Sequence, residues 1–400
     1  MAAPKKKKEK PSVVLARKGS GTFDDAVKGI QKTYGTDTVG PATTIAGLDS
    51  FNPVRTMIYD YDIVQGGGVA TGVMHETFGE LSSGKTLLAT KVAAAFQRMC
   101  RNCGKQAVKW NEHLMVGKPI QCCKHREPAR VMWIAAEQKS FTNNWAARQG
   151  VDPSKVLIVQ PQFGEQTIDM GAEMLYNGID LIVIDSIAQL VPAKEIMGSA
   201  EDDHMGLLPR LMGTLTRDWT AAMQTRLCEA LPPTVFGLNQ IRMKLGVMYG
   251  DPETCPGGKA YPFYSLTRNK VKRSAWLKDA SSRVLGQEIS ISNVKNKGAP
   301  PLRKGVFEWR SVPGTNRAAG STNFGGQVFK SALYWGLIKT EGSWYTLAKG
   351  IRLNGKPAAQ AFLESPDGEK VLDMLYNMAW EREVSWLGGT IDAEQVKDTK

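Results

Sequence analysis

The chain has 400 residues, of which 42% are hydrophobic and 22% charged, which is the composition of a globular protein with about two or three domains. It contains no apolar run of about 18 residues and no apolar segment behind its lysine-rich N-terminus, so the sequence predicts neither a membrane span nor a secretory signal and indicates a cytoplasmic protein. Six cysteines in a cytoplasmic chain of this length argue against a disulfide framework.

The formal charge of +12 is concentrated in two separate regions. Residues 1–20 contain seven basic residues and one acidic residue, and residues 268–310 contain eleven basic and three acidic residues. Two such regions predict a polyanionic partner, most simply nucleic acid, because lysine and arginine neutralise phosphates. For the N-terminal run a solvated, unstructured tail is an equally good interpretation, and the two are compatible.

A short amphipathic helix is predicted after this tail. Phe23, Val27, Ile30 and Tyr34 recur at helical spacing, and Gly35 can end the helix. The helix is either an arm that docks elsewhere, for example on a neighbouring subunit, or an element packed on the chain's own core. The sequence leaves both interpretations open.

The strongest motif lies at residues 79–86, where Gly-x4-Gly-Lys-Thr follows a strand-like segment and precedes a helical pattern. This is the P-loop pattern, in which backbone N–H groups approach phosphate oxygens, Lys85 reaches the β- and γ-phosphates and the Thr86 hydroxyl binds magnesium. The sequence therefore predicts ATP and Mg²⁺ as cofactors. The nucleotide-binding candidates here are Gly79, Glu80, Ser82, Ser83, Gly84, Lys85, Thr86 and Leu87.

Four further apolar runs, at residues 131–136, 156–159, 181–185 and 234–238, predict buried strands that alternate with helices. This pattern indicates an α/β fold with a mainly parallel central sheet covered on both faces. Ligands of such sheets bind at the carboxyl ends of the strands. The polar residues that fall at these ends are Glu137, Asp185 and Gln240.

Each of these three side chains can be interpreted either as a catalytic residue or as an ordinary structural one. Asp185 ends a four-residue apolar run and fits a Walker B carboxylate that holds magnesium through water, or it caps the next helix. Glu137 can accept the proton of an attacking water, although strand ends are often polar. Gln240 can sense the γ-phosphate or be an ordinary polar strand-end residue.

The residues 195–198, 203–207, 239–258 and 294–297 resemble the bacterial RecA recombinase family. The resemblance spans about residues 23–380 apart from an insertion. It implies a RecA-type core and a DNA-dependent ATPase that forms a helical filament on single-stranded DNA, pairs it with homologous double-stranded DNA and exchanges strands. Single-strand-binding and mediator proteins are implied partners. The sequence differs from standard bacterial members, and we interpret it as a phage-encoded one.

The resemblance also implies roles for individual residues. It assigns water activation to Glu137, the magnesium shell to Asp185 and γ-phosphate sensing to Gln240, and it places Trp145 where the family stacks a tyrosine on adenine. Lys295 and Lys297 match lysines that reach across the filament interface to the neighbour's ATP. Charge supplied in this way stabilises phosphoryl transfer only when subunits are stacked.

Two loops become DNA-binding candidates through the same resemblance. The first is residues 195–204, and the second, residues 241–258, follows directly from Gln240, so that a γ-phosphate contact can order it. Basic side chains can contact DNA phosphates and apolar ones can wedge between bases. The DNA-binding candidates are Met197, Gly198, Arg210, Arg217, Ile241, Arg242, Met243, Lys244, Gly257 and Gly258.

Residues 100–129 form an insertion for which the family gives no guidance. It contains the spacing C-x2-C-x18-C-x2-H, which predicts a tetrahedral zinc site in a small, basic module. The predicted ligands are Cys100, Cys103, Cys122 and His125, with Cys123 or His113 as alternates. Free thiols in a flexible loop are the plain alternative.

The last part of the chain resembles the family's small C-terminal domain, whose role is to gather duplex DNA, but it has no long acidic tail. Residues 320–326 are glycine-rich and predict a loop. We expect an N-terminal assembly segment at 1–45, an ATPase core at 46–310 and a C-terminal domain at 311–400. A RecA-core helicase or translocase, and a scaffold that coats DNA with ATP as an assembly ligand, remain alternative functions.

Overall fold

The computed structural model describes residues 22–34, 39–40, 52–198, 206–243 and 252–387. The chain divides into two compact units, Met1–Ser50 and Phe51–Lys400. In the first unit the helix α1 (Phe23–Tyr34) lies where the apolar spacing predicts it. Its N-terminus is capped, because the carboxylate of Asp25 accepts hydrogen bonds from the backbone N–H and the hydroxyl of Thr22 at 3.0 and 2.8 Å.

The second unit contains the remaining described elements. Its helices are α2 (Tyr59–Gln65), α3 (Lys85–Gln97), α4 (Asn143–Arg148), α5 (Gly164–Tyr176), α6 (Ala193–Met197), α7 (Leu207–Gln224), α8 (Ala260–Tyr264), α9 (Phe324–Tyr334), α10 (Lys356–Leu363) and α11 (Glu369–Trp386). Its strands are β1 (Met74–Gly79), β2 (Val108–Asn111), β3 (Val116–Pro119), β4 (Val131–Ala135), β5 (Val156–Val159), β6 (Leu181–Asp185), β7 (Thr234–Gln240), β8 (Arg242–Met243), β9 (Glu253–Thr254), β10 (Thr267–Lys278), β11 (Val284–Asn296), β12 (Lys304–Arg310), β13 (Lys339–Glu341), β14 (Trp344–Thr346) and β15 (Arg352–Asn354). Across the described residues, no helix is long and apolar enough to cross a membrane.

An eight-stranded sheet in the order β12-β11-β10-β1-β7-β6-β4-β5 forms the centre of this unit. The strands from β10 to β5 in this order run parallel, whereas β11 and β12 are joined to β10 as antiparallel hairpins. The predicted α/β class with a mainly parallel sheet is therefore confirmed. Because β1, β7 and β6 lie side by side, the P-loop strand adjoins the strands that end at Gln240 and Asp185.

Alternate residues of the buried strands face opposite sides of the sheet, as the two-residue period of a strand requires. In β4, Val131 and Trp133 pack in a cluster with the apolar residues of α3, and Met132 and Ile134 pack in a second cluster with α5 and α7. All four side chains are at most 1% exposed. Helices on both faces therefore bury the uninterrupted apolar runs that identify these strands in the sequence.

Close packing between α5 and α7 depends on Gly171. A Cβ placed on this residue would lie 2.1 Å from Cζ2 of Trp219, which is too close for any other side chain. The indole of Trp219 is buried and donates a hydrogen bond of 3.0 Å to the carbonyl oxygen of Ile168. This contact fixes α7, the helix that carries the predicted DNA-facing arginines.

A third apolar cluster joins α9, α10 and α11 to α2, which precedes the P-loop. Tyr59 of α2 contacts the rings of Tyr376 and Trp380 edge to face at centroid distances of 5.9 and 6.0 Å. Helix α9 begins at Phe324, so the loop predicted for residues 320–326 ends earlier than expected and its last two glycines are helical. The predicted domain boundaries stay a prediction.

Candidate nucleotide and DNA site

The P-loop is a tight turn between β1 and α3. A Cβ on Gly79 would lie 2.2 Å from the carbonyl oxygen of Val271, and one on Gly84 would lie 2.6 Å from Cδ1 of Ile289. Gly84 also has a φ of 99°, in the region that favours glycine. The loop therefore requires glycine at both positions, and it presents the N-terminus of α3 as an anion site.

Lys85 lies folded over this loop. Its Nζ donates to the carbonyl oxygens of Gly79 and Glu80, at 3.1 and 2.6 Å. Burial lowers the pKa of Lys85, and the carboxylates of Asp185, Glu137 and Glu80 oppose that shift. The ammonium group is thus held at the loop by weak acceptors that phosphate oxygens can replace.

Thr86 and Asp185 meet beside the lysine. The hydroxyl of Thr86 donates to Oδ2 of Asp185 at 3.0 Å, and the carboxylate is 3% exposed. Burial raises the pKa of Asp185 to about 7. The hydrogen bond from Thr86 opposes this shift, and the charge of Glu137 adds to it. A hydroxyl and a desolvated carboxylate are oxygen ligands that suit Mg²⁺, so these two residues fit that ion.

Glu137 follows β4 and is tied to the end of β6. Its backbone N–H donates to the carbonyl oxygen of Asp185 at 3.0 Å, and its side chain is half-buried. The structure therefore brings together the predicted Lys85, Thr86, Glu137 and Asp185 at the carboxyl edge of the sheet.

Gln240 is the last residue of β7 and pairs in register with Gly79 of β1. The next residue, Ile241, donates its backbone N–H to the carbonyl oxygen of Gly79 at 3.3 Å. That oxygen also accepts from Lys85. The first residue of the second predicted DNA loop is therefore hydrogen-bonded to the first residue of the P-loop.

The other end of this loop is attached through residues that were not predicted. The side-chain amide of Asn239 donates to Oε1 of Glu76 at 2.9 Å and to the carbonyl oxygen of Pro256 at 3.0 Å. Glu76 is fully buried in β1 and is also paired with Arg268. The sequence did contain a signal for these contacts, because Glu76 lies within a strand of buried residues and a buried carboxylate requires hydrogen-bond partners.

Three of the described DNA candidates are exposed on α6 and α7. Arg210 and Arg217 are exposed on α7 and lie about two turns apart, on one face of the helix. Met197 is 81% exposed at the end of α6 and precedes Gly198. Residues 199–204 of the first loop lie outside the described residues, as does Lys244 of the second.

The second loop begins and ends with paired strands. Arg242 and Met243 form β8, which pairs with β9, and Met243 is 62% exposed. Gly257 and Gly258 pack against α7, where a Cβ on either would lie 3.1 or 3.0 Å from a side-chain carbon of that helix. These glycines therefore serve close packing at the base of the loop.

Trp145 lies on α4, with its ring centroid 5.3 Å from that of Trp309 on β12. The indole is half-buried, so part of its surface is open. Its predicted contact with adenine stays a prediction.

Within the part of the chain that the structure describes, no hydrogen bond or ion pair joins Lys295 or Lys297 to the P-loop. Lys295 donates through Nζ to the carbonyl oxygens of Pro262 and Phe263 at 2.7 and 2.8 Å. In the sheet, Lys295 of β11 is paired with Arg268 of β10, which in turn is paired with Glu76 of β1. Glu76 precedes Gly79 by three residues, so Lys295 lies level with a point about 10 Å before the P-loop along the strand direction. Burial lowers the pKa of Lys295 to about 8, and the charges of Lys297 and Arg268 add to this shift.

In the insertion, the Sγ atoms of Cys100, Cys103, Cys122 and Cys123 lie within 4.8 Å of one another. The cluster contains Cys123 in place of the predicted His125, which is exposed and does not join it. The alternate His113 lies elsewhere, buried with its ring centroid 6.1 Å from that of Phe324. The thiol cluster thus contains three of the predicted ligands together with the alternate Cys123, and their binding of zinc stays a prediction.

Comparisons with known proteins point to one family. The family model for the RecA N-terminal domain matches residues 114–312. Protein RecA of Syntrophobacter fumaroxidans is 35% identical over 351 residues, which cover 86% of this chain and 89% of that protein. Protein RecA of Leptospira biflexa is 32% identical over 367 residues, covering 90% and 84%. Together with the P-loop core, these matches show that the chain belongs to the RecA family.

Proposed function

We propose that the chain is an ATP-dependent DNA recombinase, which forms a helical filament on single-stranded DNA and catalyses homologous pairing and strand exchange. The observation that carries this proposal is the carbonyl oxygen of Gly79, which accepts from both Lys85 and Ile241. The phosphate site and the second DNA loop therefore share one atom, so a change at the phosphates can reach the DNA loop directly.

In this proposal Lys85 and the backbone of residues 79–87 hold the triphosphate of ATP. Thr86 and Asp185 hold Mg²⁺, which neutralises phosphate charge when bound. Glu137 orients the attacking water and accepts its proton at a carboxylate oxygen. Gln240 contacts the γ-phosphate, and Trp145 stacks on the base.

DNA binding is assigned to the surface next to this site. Arg210, Arg217, Arg242 and Lys244 contact phosphates, while Ile241 and Met243 contact bases. Met197 and Gly198 belong to the first DNA loop of this surface, and Gly257 and Gly258 hold the base of the second loop against α7. Duplex DNA is assigned to the C-terminal domain, at residues 311–400.

Filament assembly explains two further features. Phe23 is 84% exposed on α1, as expected of an arm that docks on a neighbouring subunit. Lys295 and Lys297 lie too far along the sheet to reach their own phosphate loop, which supports contact with the neighbour's ATP. Stacking of subunits then completes each site.

The deciding experiment measures ATP turnover with and without single-stranded DNA, together with strand exchange between homologous substrates. We expect DNA-stimulated turnover and exchange that requires homology. Unwinding of a duplex without homologous DNA would favour a helicase, and turnover that does not respond to DNA would favour a coating scaffold.

We also propose Zn²⁺ as a structural ion of the insertion at 100–129, outside the reaction. The proposed activity places the protein in the cytoplasm, together with single-strand-binding and mediator proteins. A phage gene expressed in a bacterial host remains our hypothesis for its origin.

A further inference from the structure

The four clustered thiols have the spacing of a tetrahedral metal site. Sγ of Cys123 lies 3.6 Å from that of Cys100 and 3.9 Å from that of Cys122. Four sulfurs at about 2.3 Å from a central zinc lie about 3.8 Å apart, whereas a disulfide requires about 2.05 Å. These two distances match the edges of a zinc tetrahedron and are too long for disulfides, and all four sulfurs lie within 4.8 Å of one another.

The first two ligands belong to a turn that directs backbone N–H groups at sulfur. The amides of Asn102 and Lys105, each two residues after a cysteine, hydrogen-bond to the sulfurs of Cys100 and Cys103 respectively. Two backbone hydrogen bonds of 2.8 Å close the turn. The N–H of Cys100 donates to the carbonyl oxygen of Lys105, and the N–H of Gly104 donates to the carbonyl oxygen of Cys100.

The cluster lies where the insertion leaves the core and where it returns. The backbone N–H of Arg101 donates to the carbonyl oxygen of Glu127 at 2.9 Å, and the backbone N–H of Ala129 donates to the carbonyl oxygen of Met99 at 3.1 Å. An ion bound to both cysteine pairs would therefore close the base of the insertion.

Beyond this base, the β2–β3 hairpin carries a buried carboxylate into the core. Glu112 accepts from Nζ of Lys91 at 2.6 Å, from Nε1 of Trp110 at 2.8 Å and from the backbone N–H of Thr322 at 3.1 Å. Lys91 lies on α3, the P-loop helix, and both charged side chains are 1% exposed. Removing either partner would leave an unpaired buried charge.

We propose that Cys100, Cys103, Cys122 and Cys123 form a four-thiolate Zn²⁺ site that closes the base of the insertion and thereby holds Glu112 against Lys91 of the P-loop helix. The site is structural, since all four positions are filled by protein thiolates and none is left for substrate. Zinc suits four thiolates, and a short insertion with few apolar residues gains its fold from the metal. This inference does not depend on the recombinase activity.

Metal content of the full chain, purified without chelator, tests the ligand set. We expect about one zinc per chain in the wild type and in His125→Ala, and less than a tenth of that in Cys122→Ser and Cys123→Ser. Cys228→Ser is the matched control, because Cys228 is exposed and outside the cluster. Absence of zinc, iron in its place, or loss of zinc in His125→Ala with retention in Cys123→Ser would overturn the assignment.

Cobalt substitution provides a spectroscopic readout of which atoms bind the metal. The wild type and His125→Ala are expected to give the same sulfur-to-cobalt charge-transfer and tetrahedral ligand-field bands. A change of these bands in His125→Ala would show that an imidazole belongs to the set and would overturn the four-thiolate site.

The connection to the P-loop helix is tested by chelation. Removal of zinc should lower the midpoint of thermal unfolding of the wild type. It should lower that of the double variant Lys91→Met, Glu112→Leu by a smaller amount, because the buried pair is already absent. An equal shift in both proteins would overturn the proposed action through Glu112.

Discussion

The backbone N–H of Ile241 donates to the carbonyl oxygen of Gly79, at 3.3 Å. One residue begins the second DNA loop and the other begins the P-loop, so the two loops are joined at their first residues. Since Lys85 shares the same acceptor, binding of phosphate by that lysine changes the surroundings of this hydrogen bond.

Replacing Lys85 with alanine removes the ammonium group that lies over the P-loop. We expect Lys85→Ala to lose nucleotide-dependent DNA binding at least tenfold, because about 1.4 kcal/mol of lost interaction already gives that factor. Binding of labelled single-stranded DNA with and without ATP measures this. Lys155→Ala is the control, as that lysine is 60% exposed and lies outside the site; equal losses in both variants would contradict the assignment.

Glu137→Gln retains the shape of the side chain but removes the proton acceptor. Since general bases contribute about 10²–10⁴-fold, we expect turnover to fall by at least a hundredfold while DNA binding with ATP is retained. Single-turnover hydrolysis and DNA binding on the same preparation separate the two effects. Glu173→Gln, on the exposed face of α5, is the control; unimpaired turnover in Glu137→Gln would remove this residue from catalysis.

Asp185 predicts a dependence of stability on pH and Mg²⁺. Burial raises its pKa from 3.8 to about 7 in the folded state. Between these values the folded protein keeps a proton that the unfolded chain has lost, so this contribution is complete below about pH 4 and is lost as pH rises through 7. The shift corresponds to roughly 4 kcal/mol at about 1.4 kcal/mol per pKa unit.

The free energy of unfolding of Asp185→Asn should therefore fall less than that of the wild type between pH 4 and 8. Mg²⁺ should stabilise the wild type at pH 8, where the carboxylate is ionised, and should have little effect on the variant. Chemical unfolding across this pH range, with and without Mg²⁺, measures both. An equal Mg²⁺ effect in the two proteins would exclude Asp185 as the ligand.

Lys295 and Lys297 are expected to act between subunits. The double variant Lys295→Ala, Lys297→Ala should bind nucleotide as a monomer with unchanged affinity but lose the stimulation of hydrolysis by DNA. The control is Lys278→Ala, Lys304→Ala, which removes the same charge from exposed positions on β10 and β12. Normal stimulation in the first variant, or equal loss in the control, would reject contact in trans.

The sequence predicted the parts of the fold in which local pattern and tertiary environment agree. The strands at β4 and β6 are uninterrupted apolar runs because both faces of the sheet are covered. In β10, by contrast, Lys270 and Lys272 interrupt the run, and this strand was not predicted. Its partner β11 pairs along nearly its whole length, so cross-strand hydrogen bonding forms this hairpin without an uninterrupted apolar run.

Two further differences arise from contacts that sequence spacing does not contain. Gly325 is helical in α9, because a glycine there allows the helix to approach Glu364 and His113, to within 2.9 and 3.2 Å of an added Cβ. Cys123 rather than His125 joins the thiol cluster, and its Sγ lies 3.6 Å from that of Cys100. His125 completes the predicted C-x2-C-x18-C-x2-H spacing and Cys123 was named as an alternate, so only the packed insertion distinguishes the two residues.

Asn239 predicts how far the base of the DNA loop depends on the core. Its amide joins Glu76 of β1 to Pro256 at the end of the loop, and Asn239→Ala leaves both acceptors without this donor. A buried unsatisfied group costs about 1–3 kcal/mol, so we expect a weaker attachment of the loop and about a tenfold or greater loss of DNA stimulation.

Nucleotide affinity should stay within about twofold, since no atom of Asn239 belongs to the P-loop. Fluorescent-nucleotide binding and DNA-stimulated hydrolysis measure the two quantities, with Asn354→Ala on the exposed β15 as the control. Parallel losses of nucleotide and DNA response would mean that Asn239 merely supports the core, whereas loss of the DNA response alone identifies it as the residue that attaches the loop to the P-loop strand.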